Sequence, residues 1–147
     1  MLVRPAQQSD STAWEQMRQQ LWPAPAGEHQ EEIERFFKGD RRIAAEVLVA
    51  AEETGRAIAF VELSIRPYAE GCYSDRVAYL EGWFVEAAYR GRGIGRSLVK
   101  AAEEWARTEG CTEFASDTEL DNTLSASLHL AQGFEEVTRI ICFRKTL

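Results

Sequence analysis

At 147 residues the chain has room for a sizeable core, and one domain spanning 1–147 is expected. Its 17 lysines and arginines stand against 24 aspartates and glutamates, a net charge of −7, which argues against nucleic acid as a partner because phosphate backbones need a basic stripe. No apolar run approaches the roughly 18 residues of a membrane span, and Met1-Leu2-Val3-Arg4-Pro5 lacks the features of a secretion signal, so no membrane partner and a cytoplasmic location are expected.

Leu2-Val3-Arg4 reads as a first strand. Ser9 or Asp10 can cap a helix whose apolar face is Trp14, Met17 and Leu21, and Pro23 and Pro25 end it. A second helix covers Glu28 to Lys38, with Gly39 as its stop. Ala44 to Ala51 and Ala57 to Ile65 read as strands joined by the turn Glu52-Glu53-Thr54-Gly55-Arg56. After an irregular polar segment, Arg66 to Arg76, comes the strand Tyr79 to Val85. A long helix runs from Gly93 to about Glu109 and closes at Gly110. Glu113 to Ser116 is a short strand, and Leu124, Leu128 and Ala131 mark a helix ended by Gly133. Ile140 to Phe143 supplies a last strand. The pattern predicts an α/β (α+β) fold: a central mixed, mostly antiparallel sheet with helices on both faces.

The run Arg90-Gly91-Arg92-Gly93-Ile94-Gly95 lies where a strand turns into a helix. Amides at a helix start lack partners inside the helix and favour negative charge, and glycines let a phosphate approach them. Arg90, Arg92 and Arg96 add positive charge. The spacing is neither that of a P-loop nor that of a dinucleotide fingerprint. What remains is R-x-x-G-x-G, a pyrophosphate cradle in an acidic chain. Downstream, Asn122 opens a segment containing Ser125, Leu128 and Gly133-Phe134. Asn122 can cap that helix or hydrogen-bond amides of a bound ligand. Cys72, Cys111 and Cys142 are odd in number and lack metal-ligand spacing, so packed thiols and no metal are expected.

These two motifs, in this order, resemble those of the GNAT superfamily of N-acetyltransferases. The resemblance implies a sheet that splays at an acetyl-coenzyme A site. It assigns cofactor binding to Trp83, Phe84 and Val85 on the motif strand, to Gly91, Arg92, Gly93, Ile94, Gly95 and Arg96 in the turn, and to Asn122. Many members carry tyrosine, the acid for the departing thiolate, where this chain has His129. Histidine donates protons near neutral pH and suits that role, and a packed structural histidine is the other reading.

Further blocks narrow the resemblance: Leu21-Trp22-Pro23, Ser64-Ile65-Arg66, Leu80-Glu81-Gly82, Ala115-Ser116-Asp117, Phe134-Glu135-Glu136 and Phe143-Arg144-Lys145. Together they are similar to the chromosomal-type aminoglycoside 6′-N-acetyltransferases over nearly the whole chain. This similarity implies direct acetyl transfer from acetyl-coenzyme A to the 6′-amine of an aminoglycoside, hence antibiotic resistance. It also implies a homodimer whose last strands exchange or abut. Trp22, Tyr68, Glu81 and Asp117 become candidate contacts to the polycationic substrate, with packing as the alternative for Trp22. Glu119 and Asp121 follow on the same turn, where solvated surface charge is the plainer reading for Glu119. Asp117 or Glu81 can accept the ammonium proton, and a backbone amide near Phe84 can hold the oxyanion. The chain departs from close relatives at Thr138, where an acidic residue is common, and near Pro25, where some carry histidine. Two other readings stay open: acetyl transfer to a polyamine or protein amine, and an acyl-coenzyme A sensor without turnover.

Overall fold

The computed structural model describes residues 1–147. Five strands form one sheet in the order β1-β2-β3-β4-β5, namely Leu2–Pro5, Glu46–Ala51, Ala57–Arg66, Val77–Val85 and Phe114–Ser116. Neighbours from β1 to β4 are antiparallel, and β5 runs parallel to β4. Four α-helices accompany it: α1 Ser11–Leu21, α2 Glu28–Phe37, α3 Ile94–Thr108 and α4 Thr123–Ala131.

The apolar periodicities put a helix layer on each face of the sheet. On one face, Ile94, Leu98, Val99 and Ala102 of α3 pack onto Leu48, Ile58, Val61, Leu63 and Leu80. On the other, Trp14 and Met17 of α1 and Ile33 and Phe36 of α2 cover Val47, Val49, Phe60 and Phe84. Each such fully buried side chain contributes about 1.5–3 kcal/mol of transfer free energy.

The α1/α2 face also carries a buried polar cluster. Glu62, in the middle of β3, accepts hydrogen bonds from Trp14 Nε1 at 2.9 Å and from Arg18 Nε at 2.6 Å. Arg18 also donates to Glu32 at 2.5 Å and contacts His29 Nδ1 at 3.0 Å. A charge on a central strand survives because every side of it is partnered.

A β-bulge divides β4. Glu62 pairs with Gly82 but the next residue, Leu63, pairs with Leu80, so Glu81 is the extra residue. Strict alternation cannot put Leu80, Trp83 and Val85 on one face, yet all three join the α3 layer while Phe84 joins the opposite one. The bulge switches the faces and leaves two successive residues, Glu81 and Gly82, on the α1/α2 side.

Two expectations are corrected. Asp10 stands at the start of α1, but its carboxylate does not cap that helix. It accepts instead from the Gln7 amide at 2.8 Å and from Arg4 at 2.7 and 3.0 Å. The strand expected at Ile140–Phe143 does not form. Residues 134–147 hold no regular element, and the side chains of Ile140, Ile141 and Phe143 are exposed. A strand needs a neighbouring edge to satisfy its amides, and this segment pairs with none.

Asp10 supplies a pH prediction. Burial alone pushes its carboxyl up, but the Arg4 guanidinium and the Gln7 amide outweigh that and hold it below the ordinary aspartate range. A carboxyl depressed by folding stabilises the protein above that range and loses its contribution as pH falls through it. Asp10→Asn is therefore expected to cost about 1–3 kcal/mol near neutral pH. The gap from the parent protein should narrow on acidification. Urea denaturation at neutral and acidic pH measures both, and a gap independent of pH would contradict the assignment.

Candidate active site

Past β4 the chain makes a 3-10 turn at Ala87–Tyr89 and then the loop Arg90 to Gly93. Gly91 and Gly93 have φ of 75° and 77°, which only glycine adopts without strain. Gly93 is the N-cap of α3, and no side chain caps this helix. None of the backbone hydrogen bonds uses the amides of Gly91, Arg92 or Gly93, and a Cβ at Gly91 or Gly93 would meet only open space. The loop thus offers a row of free donors at the positive end of a helix dipole, the arrangement that binds a phosphate. Gly95 serves otherwise. A Cβ there would lie 3.0 Å from the Trp83 indole, so this glycine lets Trp83 pack beneath the loop. Ile94 is buried under α3, while Arg92 and Arg96 are exposed. Arg90 turns back and donates to Val85 O at 2.9 Å.

β4 and β5 are paired only from Ala78 to Leu80, against Phe114 to Ser116. From Glu81 onward β4 has no neighbour on that side, which is the expected splay. The Glu86 amide donates to Ile58 O at 3.0 Å, so by alternation the main-chain groups of Phe84 also face β3. Those of Trp83 and Val85 face the opening, and Arg90 occupies the Val85 carbonyl. The free amide expected near Phe84 is thereby moved to its neighbours, Trp83 first.

The α1/α2 face beside the bulge is charged. Glu81 accepts from Ser64 Oγ at 2.5 Å and from Arg66 Nε and Nη2 at 2.8 and 2.7 Å. The Arg66 guanidinium stacks 3.5 Å above the Tyr79 ring, whose hydroxyl donates to Asp117 at 2.5 Å. Burial and the Asp117 carboxylate push the Tyr79 phenol well up, so it remains a donor. One chain of contacts therefore joins Glu81 and Asp117 across three elements. Both Glu81 oxygens are engaged, whereas Asp117 is exposed and keeps an oxygen without a hydrogen-bond partner. Trp22 closes this face: its ring lies on Gly82, where any Cβ would overlap it, and meets Phe60 edge-on at 6.4 Å. Tyr68 stands apart, 64% exposed, with its hydroxyl donating to Glu70. Glu119 and Asp121 are exposed on the connection to α4.

Asn122 takes the capping role: its side-chain oxygen accepts from the Ser125 amide at 3.0 Å. On the next turn of α4, His129 sits where β4 and β5 part. Its Nδ1 is 2.8 Å from Ser125 O, a carbonyl that only accepts, so Nδ1 carries a proton. Its Nε2 is 2.8 Å from Ser116 Oγ, which is also 3.1 Å from Leu80 O. The single hydroxyl proton serves Leu80 when the imidazole is charged and Nε2 when it is neutral. The ring meets Trp83 edge-on at 5.5 Å, next to the opening.

Ser64, Arg66, Tyr79 and Ser116 enter this site without having been given a role from the sequence, although Ser64, Arg66 and Ser116 lie in blocks that carry the resemblance. A signal existed for two of them. Glu62, Ser64 and Arg66 are polar at every second position of an otherwise apolar strand, which places them on one face.

The profile of the Acetyltransferase (GNAT) family matches residues 14–134, a span holding every residue of the site. This chain belongs to the GNAT family. The GNAT assignment agrees with its relatives. The chain is 56% identical over 147 residues to aminoglycoside N(6′)-acetyltransferase type 1 of Klebsiella aerogenes, covering 99% of this chain and 97% of that protein. It is 39% identical to the enzyme of the same name from Acinetobacter baumannii, covering 100% and 99%. Among solved GNAT structures it matches AAC(6′)-Iy in complex with the bisubstrate analogue CoA-S-monomethyl-acetylneamine, with TM-score 0.88, 37% identity and coverage of 99% and 98%. It likewise matches AAC(6′)-Ih from Acinetobacter baumannii, with TM-score 0.89, 38% identity and coverage of 99% and 98%.

Proposed function

We propose that this protein transfers the acetyl group of acetyl-coenzyme A to the 6′-amine of aminoglycoside antibiotics. The observation that carries the reading is the division of β4. Its α3 side leads to the free amides of the glycine loop, and its α1/α2 side bears Glu81 and, through Tyr79, meets Asp117 at the end of β5. The full-length relatives named for 6′-acetylation, and the bisubstrate analogue bound by one of them, support the same reading.

The residues fit acetyl-coenzyme A. The amides of Gly91, Arg92 and Gly93 hold the pyrophosphate, with Arg92 and Arg96 alongside, and the open edge of β4 receives the pantetheine. The thioester supplies the acyl group. Trp22 and Asp117 receive the polycation, and Glu81 orients Arg66 and Tyr79 rather than serving as the free base. Asp117 takes the ammonium proton, since an amine attacks only when neutral. The Trp83 amide faces the opening and stabilises the oxyanion. A charged His129 protonates the leaving thiolate through Ser116: the hydroxyl gives its proton to the sulfur and takes the Nε2 proton in exchange.

A second copy of the chain pairs with the C-terminal segment, whose exposed Ile140, Ile141, Phe143 and Leu147 side chains suit a covered strand. No helix is long and apolar enough to cross a membrane, and we place the enzyme in the cytoplasm beside its thioester donor.

Thiol release with kanamycin and tobramycin tests the reading. Asp117→Asn is expected to lower kcat/KM by about 100- to 10,000-fold, the range of a lost proton acceptor. Its acetyl-coenzyme A affinity should be unchanged. Polyamine or protein acetylation in the absence of aminoglycoside turnover would favour a different GNAT substrate, and cofactor binding with no thiol release would favour a sensor.

A further inference from the structure

Trp22 is the last residue of the α1 turn, and nothing in its own short connection to α2 fixes its ring. Besides Gly82 and Phe60 beneath the ring, buried polar residues hold its backbone and flank the indole. Its amide donates to Arg18 O at 2.7 Å, and the Arg18 guanidinium lies 5.4 Å from its ring centroid. From α2, His29 reaches back so that Nε2 stands 2.7 Å from Trp22 O. His29 and Arg18 are 7% and 5% exposed.

The proton positions on His29 follow from its neighbours. Nδ1 is 3.0 Å from Arg18 Nη1, and a guanidinium only donates, so Nδ1 accepts. The carbonyl of Trp22 only accepts, so Nε2 carries the proton and donates to it. The imidazole is a neutral bridge between a buried cation and a backbone carbonyl. Glu62 and Glu32 hold that cation from its other sides. A hydrophobic residue would fill this space without tying the loop, and a lysine or arginine would face Arg18 with like charge.

We propose that His29 is a positioning residue of the acceptor site. Through Arg18 it ties the Trp22 carbonyl to the core, so that the indole stands on Gly82 at the β4 bulge before substrate arrives. A wall already in place spares the substrate the cost of ordering it. The inference rests on the reading of Trp22 as part of the aminoglycoside wall.

Three variants test it by steady-state kinetics and acetyl-coenzyme A titration. In His29→Asn the amide oxygen can replace Nδ1 toward Arg18, while the side chain is too short to reach Trp22 O. The aminoglycoside KM should rise about fivefold, the worth of one net hydrogen bond. The kcat should change little and the acetyl-coenzyme A affinity not at all. His29→Gln places an amide N–H near the Nε2 position and should restore most of the loss. In a Trp22→Ala background, His29→Asn should add no further rise in KM, because the two residues act through one wall. An unchanged KM in His29→Asn alone would overturn the proposal. A full additional rise on top of Trp22→Ala, or a parallel loss of acetyl-coenzyme A affinity, would show a general structural role and overturn it too. A neutral Trp22→Ala would instead remove Trp22 from the wall, and the proposal would fall with that reading.

Discussion

Gly93→Asp is expected to weaken acetyl-coenzyme A binding by at least about a hundredfold while the protein stays folded. Two effects combine. Gly93 has φ of 77°, and a side chain with a Cβ pays about 1–2 kcal/mol for that conformation. A carboxylate at the N-cap of α3 would also occupy, with like charge, the place where the amides and helix dipole receive phosphate. Roughly 3 kcal/mol in sum corresponds to about two decades in affinity. Gly93→Asn separates the causes. Asparagine bears the same backbone cost as aspartate but carries no charge, so it should lose about one decade of affinity rather than two. Calorimetric titration with acetyl-coenzyme A reads both variants, and circular dichroism confirms the fold. Parent-like affinity in the aspartate variant would remove the loop from the cofactor site.

The second expected result is regiochemical. Neomycin carries an amine at 6′ and paromomycin a hydroxyl, with the other ammonium groups retained. Neomycin, kanamycin and tobramycin should each gain one acetyl group at the 6′-amine. Paromomycin should bind as a competitive inhibitor and release no thiol. A neutral hydroxyl is a poor nucleophile toward a thioester unless a strong base activates it. Neither histidine offers a free ring nitrogen: His129 is bonded to Ser125 O and Ser116 Oγ, and His29 to Arg18 and Trp22 O. Mass spectrometry of the products decides the matter. Acetylation of paromomycin at a rate close to that of neomycin would mean that another amine is the target.

Local features of the chain announced themselves in the sequence, and pairings between distant residues did not. The α3 start at Ile94 and its stop at Gly110, and the Asn122 cap of α4, depend on neighbours within a turn. They are written in consecutive residues, as are the strands β2 and β3. The bulge at Glu81 is a relation between β3 and β4, visible only when Leu63 is seen to pair with Leu80. The partners of Glu81 lie 15 and 17 residues away, and Arg18 and Glu62 are 44 apart. Charges at such separations read as surface residues until a fold brings them together. The C-terminal segment misled for a related reason. The apolar run Ile140-Ile141-Cys142-Phe143 shows that a strand is possible, but not whose edge it joins.

The change of face at Glu81 bears on how such an enzyme diversifies under drug pressure. On the proposed reading, residues meeting the donor lie with α3, and residues meeting the antibiotic lie with α1, α2 and the ends of β3 and β5. Substitutions that reshape the α1/α2 side, at Trp22 or Ser64, leave the layer of Ile94, Leu98 and Trp83 untouched. On that reading, selection can explore new acceptors one residue at a time without forfeiting the acetyl donor.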